Sequence, residues 1–301
     1  MSTIDGRAAG FPDEPWLEAL VSHALSEDVG SGDVTTEVAV DPDVQARGMI
    51  VARQDGVICG LPVVMMIYAK LSTQVVVDCL VGDGSHVVAG QPVARIAGPV
   101  APILTGERTA LNALQYLSGI ATLARRYAQE TAGTSCRVLD TRKTLPGYRR
   151  LAKYAVRCGG GHNHRMGLHD RILLKDNHWA ARKGSLAELV TRGRALHPEL
   201  AIEVEVDTLV QLRTVLPLKV DWILLDNFPP VEVAEAVRLR DELDPEGWRT
   251  LLEASGNVDL ETIRAHALAG ADAASVGRLT HSVPALDLGL DLEPIDRESQ
   301  A

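Results

Sequence analysis

Aromatic side chains are scarce in this 301-residue chain, at 4%. Proteins that hold single-stranded nucleic acid stack its bases on such rings, so the scarcity argues against a base-stacking surface. Positive charge is also in deficit: 30 Lys and Arg stand against 40 Asp and Glu, a formal net charge of -10. That balance suits solubility and disfavours a DNA or RNA partner. Long apolar runs are missing too. The longest, Leu61 to Ala69, is far too short to span a bilayer, so no membrane partner is expected. The opening residues, MSTIDGRAAGFPDEPW, have neither a basic start nor an apolar stretch, and no signal peptide is expected. Four cysteines, Cys59, Cys79, Cys136 and Cys158, form no C-x-x-C pair. A chain of this size needs no disulfide staples, so reduced thiols in a cytoplasmic protein are expected.

What is present is a globular composition, 46% hydrophobic and 23% charged, long enough for one large domain or two ordinary ones. EPWLEALVSHALSED carries a helical stripe through Trp16, Leu17, Leu20, Val21, Ala24 and Leu25. A turn-rich loop, DVGSGDVTT, follows. ARGMIVARQDGVICG and STQVVVDCLVGDGSHVVAGQPVARIAG predict antiparallel strands joined by glycine turns. The second piece resembles half of a lipoyl or biotinyl carrier, but its hairpin tip has no lysine, which favours a structural role. A long helix is predicted from TGERTALNALQYLSGIATLARRYAQE. Beyond it six short apolar runs, CRVLD, RILLK, AIEVEVD, VDWILLD, TLLEAS and AASVG, alternate with helix candidates at Asn177–Leu196, Thr208–Leu216, Pro230–Leu243 and Leu260–Ala269. Strands alternating with helices predict a parallel sheet, either doubly wound or closed towards a barrel. No G-x-G-x-x-G follows the first strand, which disfavours a dinucleotide fold. The runs end in Asp140–Lys143, Lys175, Glu205 and Asp207, Asp226, Glu253 and Ser255, and Gly277. So many polar strand ends in register favour a barrel with a polar mouth, the face where α/β barrels carry their active sites.

Charge is unevenly placed. Between Asp140 and His178 nine Lys or Arg meet only three Asp, a basic segment in an acidic body. Such a segment suits a small anionic ligand. Arg142 and Lys143 leave a strand end together. An arginine fork fits a carboxylate, and a lysine is a point charge suited to phosphate. In CGGGHNHRMGLHD, the glycines Gly159, Gly160 and Gly161 would let backbone N–H groups approach an anion, with His164 and Arg165 pointing inward. Zinc on His162, His164 and His169 is the lesser reading, because H-E-x-x-H spacing and a cysteine pair are both absent. Arg149, Arg150 and Lys153 are expected on a solvated helix face. Lys175 could form a Schiff base or hold an anion. Glu205 and Asp226, at neighbouring strand ends, could hold Mg²⁺ or simply pair with Lys143 or Lys175. Ser255-Gly256-Asn257, expected to open a helix, and Gly277 suggest phosphate-gripping turns.

In order along the chain, EDVGSGDVTT, ERTALN, SGIAT, DTRKTLPGYR, GGGHNHRMGL, LLKDNH, EVEVD, LLDN, EASGN, SVGRLTHS and LDLGLDL together resemble the decarboxylating quinolinate phosphoribosyltransferase family. The resemblance implies an N-terminal α/β sandwich, residues 1–115 completed by 280–301. It also implies an open α/β barrel of about six parallel strands, residues 116–279. It implies transfer of a phosphoribosyl group from phosphoribosyl pyrophosphate to quinolinate with Mg²⁺. The products would be nicotinate mononucleotide, pyrophosphate and CO₂, a step of de novo NAD biosynthesis. A homodimer with shared active sites is implied as well. By the same resemblance Arg142, His164, Arg165 and Lys175 would bind quinolinate, with Arg108 reaching in from the partner subunit. Lys143, Lys175, Glu205 and Asp226 would serve the phosphoribosyl pyrophosphate, the two acids sharing the metal. Ser255, Gly256 and Gly277 would hold the 5′-phosphate. Asn257 and Arg278 depart from the family pattern; Asn tolerates a left-handed backbone, and Arg278 could add a phosphate contact or occupy the rim. Rival readings are a transferase of the same fold using another acid, a Schiff-base lyase on Lys175, and a phosphate-ligand sensor.

Overall fold

A computed structural model of the chain describes residues 10–12, 15–175, 177–178, 184–244 and 247–295. Two compact units emerge. Among the described residues, one holds the chain from Gly10 to Arg125, then Pro146–Gly160 and the chain from Ser282 to Ile295; the other holds Arg126–Leu145 and the residues between Gly161 and His281. The expected boundary at residue 115/116 falls inside a single helix, and residues 146–160 group by contact with the first unit.

The first unit begins with α1 (Pro15–Val29), whose Leu17, Val21 and Leu25 form the buried stripe that the sequence pattern predicts. Part of the expected loop is instead a short helix, α2 (Val34–Ala39). Asp33 caps it by accepting the Thr36 backbone N–H at 3.0 Å, an arrangement that a turn-like composition conceals. The chain continues through β1 (Gln45–Ala52), β2 (Gly56–Val57), α3 (Leu61–Leu71), β3 (Val76–Cys79), β4 (His86–Val87), β5 (Pro92–Pro99) and α4 (Val100–Glu130). The longest apolar run is α3, which buries Leu61, Val63, Val64, Ile67 and Tyr68. A final strand, β12 (Leu288–Ile295), pairs antiparallel with β1 and completes a sheet of order β12-β1-β5-β3. The predicted antiparallel strands are therefore present, but each pairs with a strand that is not its neighbour in sequence: β1 with β5 and β12, β3 with β5, and β2 with β4. Also in this unit is α5 (Arg149–Cys158), where Arg150 is exposed but Lys153 is fully buried, against the expectation of a solvated basic face.

The second unit carries β6 (Arg137–Leu139), β7 (Ile172–Leu174), β8 (Ile202–Val206), β9 (Trp222–Asp226), β10 (Leu251–Ser255) and β11 (Ala273–Ser275). Each predicted apolar run is a strand, and every ladder among them is parallel. The helices between are α6 (Leu186–Leu196), α7 (Leu209–Val215), α8 (Pro230–Leu243), α9 (Ile263–Leu268) and α10 (Arg278–His281). The start of the predicted 177–196 helix lies partly outside the described residues. The sheet order is β6-β11-β10-β9-β8-β7. Read cyclically, that is the order of a barrel in which successive strands neighbour one another, opened between its first and second strands. Among the described residues no ladder joins β6 to β7; the free edge of β6 meets only a single bridge, Leu139 to His162. No helix among the described residues is long and apolar enough to cross a membrane.

Strand side chains alternate with period two, so residues two apart share a face. Leu139, Trp222 and Ala273, with Leu251 packed against them, make an apolar layer low in the barrel unit. Two residues further along the same faces come Leu224, Glu253 and Ser275, and at the strand ends Asp226 and Ser255. The alternation that builds a core thus also lifts polar groups toward the carboxyl ends.

Candidate active site

At those carboxyl ends the barrel unit opens into a cavity of about 220 Å³. Its wall includes Arg142 and Lys143 after β6, His164 and Arg165 from the 161–171 loop, and Lys175 after β7. Glu205, Asp226, Glu253, Ser255 and Ser275 complete its polar lining with Thr141 and Gly256. A second cavity, about 300 Å³, shares Thr141, Lys143, Ser255, Gly256 and Ser275 with the first and extends to Asn257, Gly277, Arg278 and His281. Ten of the sequence-predicted residues therefore meet in one two-lobed depression. Arg108 does not belong to this unit: it is an exposed residue of α4.

Asp140 organises the basic loop. Its carboxylate is fully buried and accepts the His164 backbone N–H at 2.9 Å, while its own N–H donates to the His162 carbonyl. Arg165 then turns toward Arg142, and burial together with that neighbouring guanidinium pushes its pKa below the ordinary arginine value. Arg142 and Arg165 line one cavity, and two guanidiniums sharing a cavity suit an anionic ligand.

His164 is less simply placed than the sequence suggests. It is buried, and its Nε2 lies 3.2 Å from a Glu203 carboxylate oxygen and 3.4 Å from one of Glu253. Its Nδ1 accepts the Arg165 backbone N–H at 2.7 Å. Arg171 completes the cluster: it meets Glu203 at 3.1 Å and lies over the Trp222 ring, 5.1 Å from the centroid. Burial alone would raise the pKa of Glu203, but His164 and Arg171 outweigh it and hold the group at about 2. Although His164, Glu203 and Glu253 bring three ligand-type atoms within 4.8 Å of one another, Arg171 already supplies the cation there. The cluster is an ion-pair network. The zinc reading of His162, His164 and His169 finds no support: His162 is held by the β6 backbone, and the three form no cluster among the described residues.

Lys175 forms an ion pair with Glu205. It is thus engaged by a carboxylate instead of sitting in the apolar pocket that activates lysine nucleophiles, which argues against a Schiff base. The Asp226 carboxylate accepts a hydrogen bond from Asn227 Nδ2 at 2.9 Å. Glu205 and Asp226 present oxygens from adjacent strands into one cavity, a donor set that fits a hard divalent cation with open positions left for ligand oxygens.

The expected phosphate turns are reshaped. Gly256 has φ +78°, and a Cβ there would lie 2.3 Å from Asn227 Oδ1, so only glycine fits. Asn257 takes the left-handed conformation at φ 52° and donates to Asn227 Oδ1 at 2.9 Å, which accounts for its tolerance. The turn does not open a helix directly. Helix α9 starts only at Ile263, and the Asp259 carboxylate already occupies the Glu261 and Thr262 N–H groups. The three glycines after Cys158 line neither cavity. A Cβ on Gly159 would meet the Ala121 carbonyl oxygen at 2.2 Å, so close packing on α4 requires that glycine, and the expected anion cradle is replaced by a tight chain reversal. The sequence marks Glu253 only as a polar strand end of the mouth and assigns no site role to Glu203, Arg171, Ser275 or His281. The charged residues inside otherwise apolar strands were the available signal.

An open six-stranded parallel barrel with a two-lobed, cation-rich mouth defines an anion-handling α/β enzyme. The chain belongs to the quinolinate phosphoribosyl transferase family. Residues 33–118 match that family's N-terminal domain and residues 120–291 its C-terminal domain. It is 44% identical over 275 residues to the carboxylating nicotinate-nucleotide pyrophosphorylase of Mycobacterium leprae, covering 90% of this chain and 95% of that one. It is 36% identical to the decarboxylating quinolinate phosphoribosyltransferase 1b of Nicotiana tabacum, over 92% of this chain and 82% of the other. Among solved structures, the nicotinate-nucleotide pyrophosphorylase of Francisella tularensis superimposes with a TM-score of 0.88 at 35% identity, covering 94% of this chain and 99% of that one. That of Ehrlichia chaffeensis gives 0.85 at 34% identity, over 91% and 98%.

Proposed function

We propose that the chain transfers the phosphoribosyl group of phosphoribosyl pyrophosphate to quinolinate, releasing pyrophosphate and CO₂ and leaving nicotinate mononucleotide. The observation that carries this reading is the two-lobed cavity: one lobe gathers Arg142, Arg165 and Lys175, the other Gly277, Arg278 and His281, and Lys143, Ser255 and Gly256 stand in both. A pyridine dianion and a sugar phosphate need such adjoining sites, because bringing two anions together requires cations between them.

In this mechanism Arg142 and Arg165 hold the two carboxylates and orient the ring nitrogen toward the ribosyl C1. The nitrogen's lone pair forms the new bond as the C1–oxygen bond to pyrophosphate breaks. Lys143 and Lys175 offset the charge growing on the leaving oxygens. The ring, now cationic, accepts the electron pair released when the 2-carboxylate leaves as CO₂, and C2 takes a proton. Ser255, Gly256 and Gly277 anchor the 5′-phosphate, with Arg278 at the rim. Glu205 and Asp226 would hold Mg²⁺, which supplies charge neutralisation at the pyrophosphate when bound. Arg108, exposed on α4, would complete the quinolinate site of a second subunit in a homodimer acting in the cytoplasm.

Mixing the purified chain with quinolinate, phosphoribosyl pyrophosphate and Mg²⁺ should yield nicotinate mononucleotide, detected chromatographically. Equal or faster turnover of nicotinate in place of quinolinate would overturn the substrate assignment.

A further inference from the structure

A pocket built to attract a dicarboxylate has a carboxyl group in its own wall. Glu253 on β10 is 0% exposed, and neither of its oxygens has a hydrogen-bond partner among the described residues. His164 Nε2 approaches one of them at 3.4 Å, and the Ser275 hydroxyl also faces the carboxyl. That nitrogen lies closer to Glu203, at 3.2 Å. With Nδ1 of the same ring facing the Arg165 backbone N–H, the ring meets the two acids through Nε2 alone, and despite burial their charges raise its pKa. One N–H serves one acceptor well, and Glu203 takes it. Glu203 also takes the Arg171 guanidinium. Glu253 is therefore left with only the longer, shared contact to the imidazole, while Glu203 holds the nearer one and Arg171 besides. An ionised carboxylate so buried and so placed costs several kcal/mol, whereas a protonated one costs far less.

We propose that Glu253 stands in the pocket wall as a neutral carboxylic acid and that its ionisation closes the pocket to a dicarboxylate. It acts as a specificity-determining residue. In the neutral form it leaves the positive field of Arg142, Arg165 and Lys175 undiminished for the ligand; as an anion it opposes the same charges the ligand brings. The proposal deepens the quinolinate reading and rests on it. The groups facing Glu253 support it. Burial, then the Glu203 charge, push its pKa up to about 7, with His164, Ser275 and Arg171 acting in the opposite direction.

Two measurements on the full chain test it. The first needs no ligand: thermal unfolding of wild type and Glu253→Gln across the pH range. A folded-state proton retained above the pH where unfolded glutamate has lost it means that the native state binds more protons, so stability falls as pH rises through that window. The melting temperature of Glu253→Gln minus that of wild type should grow with pH up to neutrality and then level off. A difference that stays constant, or shrinks, overturns the neutral acid. The second is calorimetric quinolinate affinity. Wild-type affinity should drop by roughly tenfold between about pH 6.5 and about pH 8, with proton uptake on binding at the higher pH, and Glu253→Gln should show a shallower drop and less uptake. Equal slopes in the two proteins, or no uptake by wild type, overturn the gating role. If Glu253→Gln does not fold, wild-type proton uptake, read from binding heats in buffers of different ionisation enthalpy, still decides it. Wild type that binds no quinolinate at any pH removes the substrate reading and the gating role with it, while the unfolding series separately decides the protonation of Glu253.

Discussion

Arg142 and Arg165 owe their value to proximity. Arg142 follows β6 and Arg165 stands on the loop that Asp140 anchors, so together they bring two guanidiniums to one cavity. Replacing either by alanine should remove a charge-assisted bond worth about 2–3 kcal/mol, or several tens of fold in quinolinate affinity by calorimetry. Glu203 matters differently. It is buried between Arg171 and His164, and its depressed pKa means that its contribution is present above the ordinary glutamate range and is lost as pH falls toward about 2. Glu203→Gln should lower stability by about 3–5 kcal/mol near neutrality, because Arg171 loses its counter-charge. Its stability should also depend less on pH in the acid range than that of wild type, as equilibrium unfolding would show. These residues mark the limit of what sequence discloses. The strand-end residues Lys175, Glu205 and Asp226 were legible because period-two alternation and the polar end of an apolar run are local signals. The cluster of His164, Glu203 and Glu253 was not. A histidine and two glutamates separated by dozens of residues look like any others until strand order places them together.

At the scale of elements, the six strands could be read directly: each is a short apolar run bounded by polar residues, and parallel strands buried on both faces have little other sequence to show. What resisted reading was helix α5. Its arginines and lysine suggest a solvated face, yet Lys153 is fully buried and the helix groups with the sandwich, because helix periodicity reports which residues share a face and not what that face packs on. The glycine run that ends it was misread for a related reason. A glycine needed to let two backbones touch and a glycine needed to cradle an anion have the same letter. Gly159→Ala separates the two: the added methyl would meet the Ala121 carbonyl oxygen at 2.2 Å, and the obstacle is backbone that cannot swing away. Destabilisation of about 1–3 kcal/mol is expected, seen as a lower melting temperature, with little change in the quinolinate affinity of the folded fraction.

For the whole molecule, the shared-site proposal is open to a direct check. Arg108→Ala and Lys175→Ala lie in different compact units, and each alone should be nearly inactive. If Arg108 serves a neighbouring subunit's pocket, co-refolding or subunit exchange between the two variants should regenerate some intact sites and restore measurable nicotinate mononucleotide formation. Persistent inactivity of the mixture, with exchange demonstrated, would overturn the assignment of Arg108 to a neighbouring subunit's pocket.

Lys143, Ser255, Gly256 and Ser275 form a party wall between the two lobes. Whatever settles on one side of that partition changes the charge and the room available on the other. Linkage then makes the influence mutual: the factor by which a bound sugar phosphate alters the grip on the pyridine acid equals the factor by which the acid alters the grip on the sugar phosphate. Both routes end at a ternary complex of the same free energy, so any preferred order of arrival reflects the two binary complexes and the rates that form them.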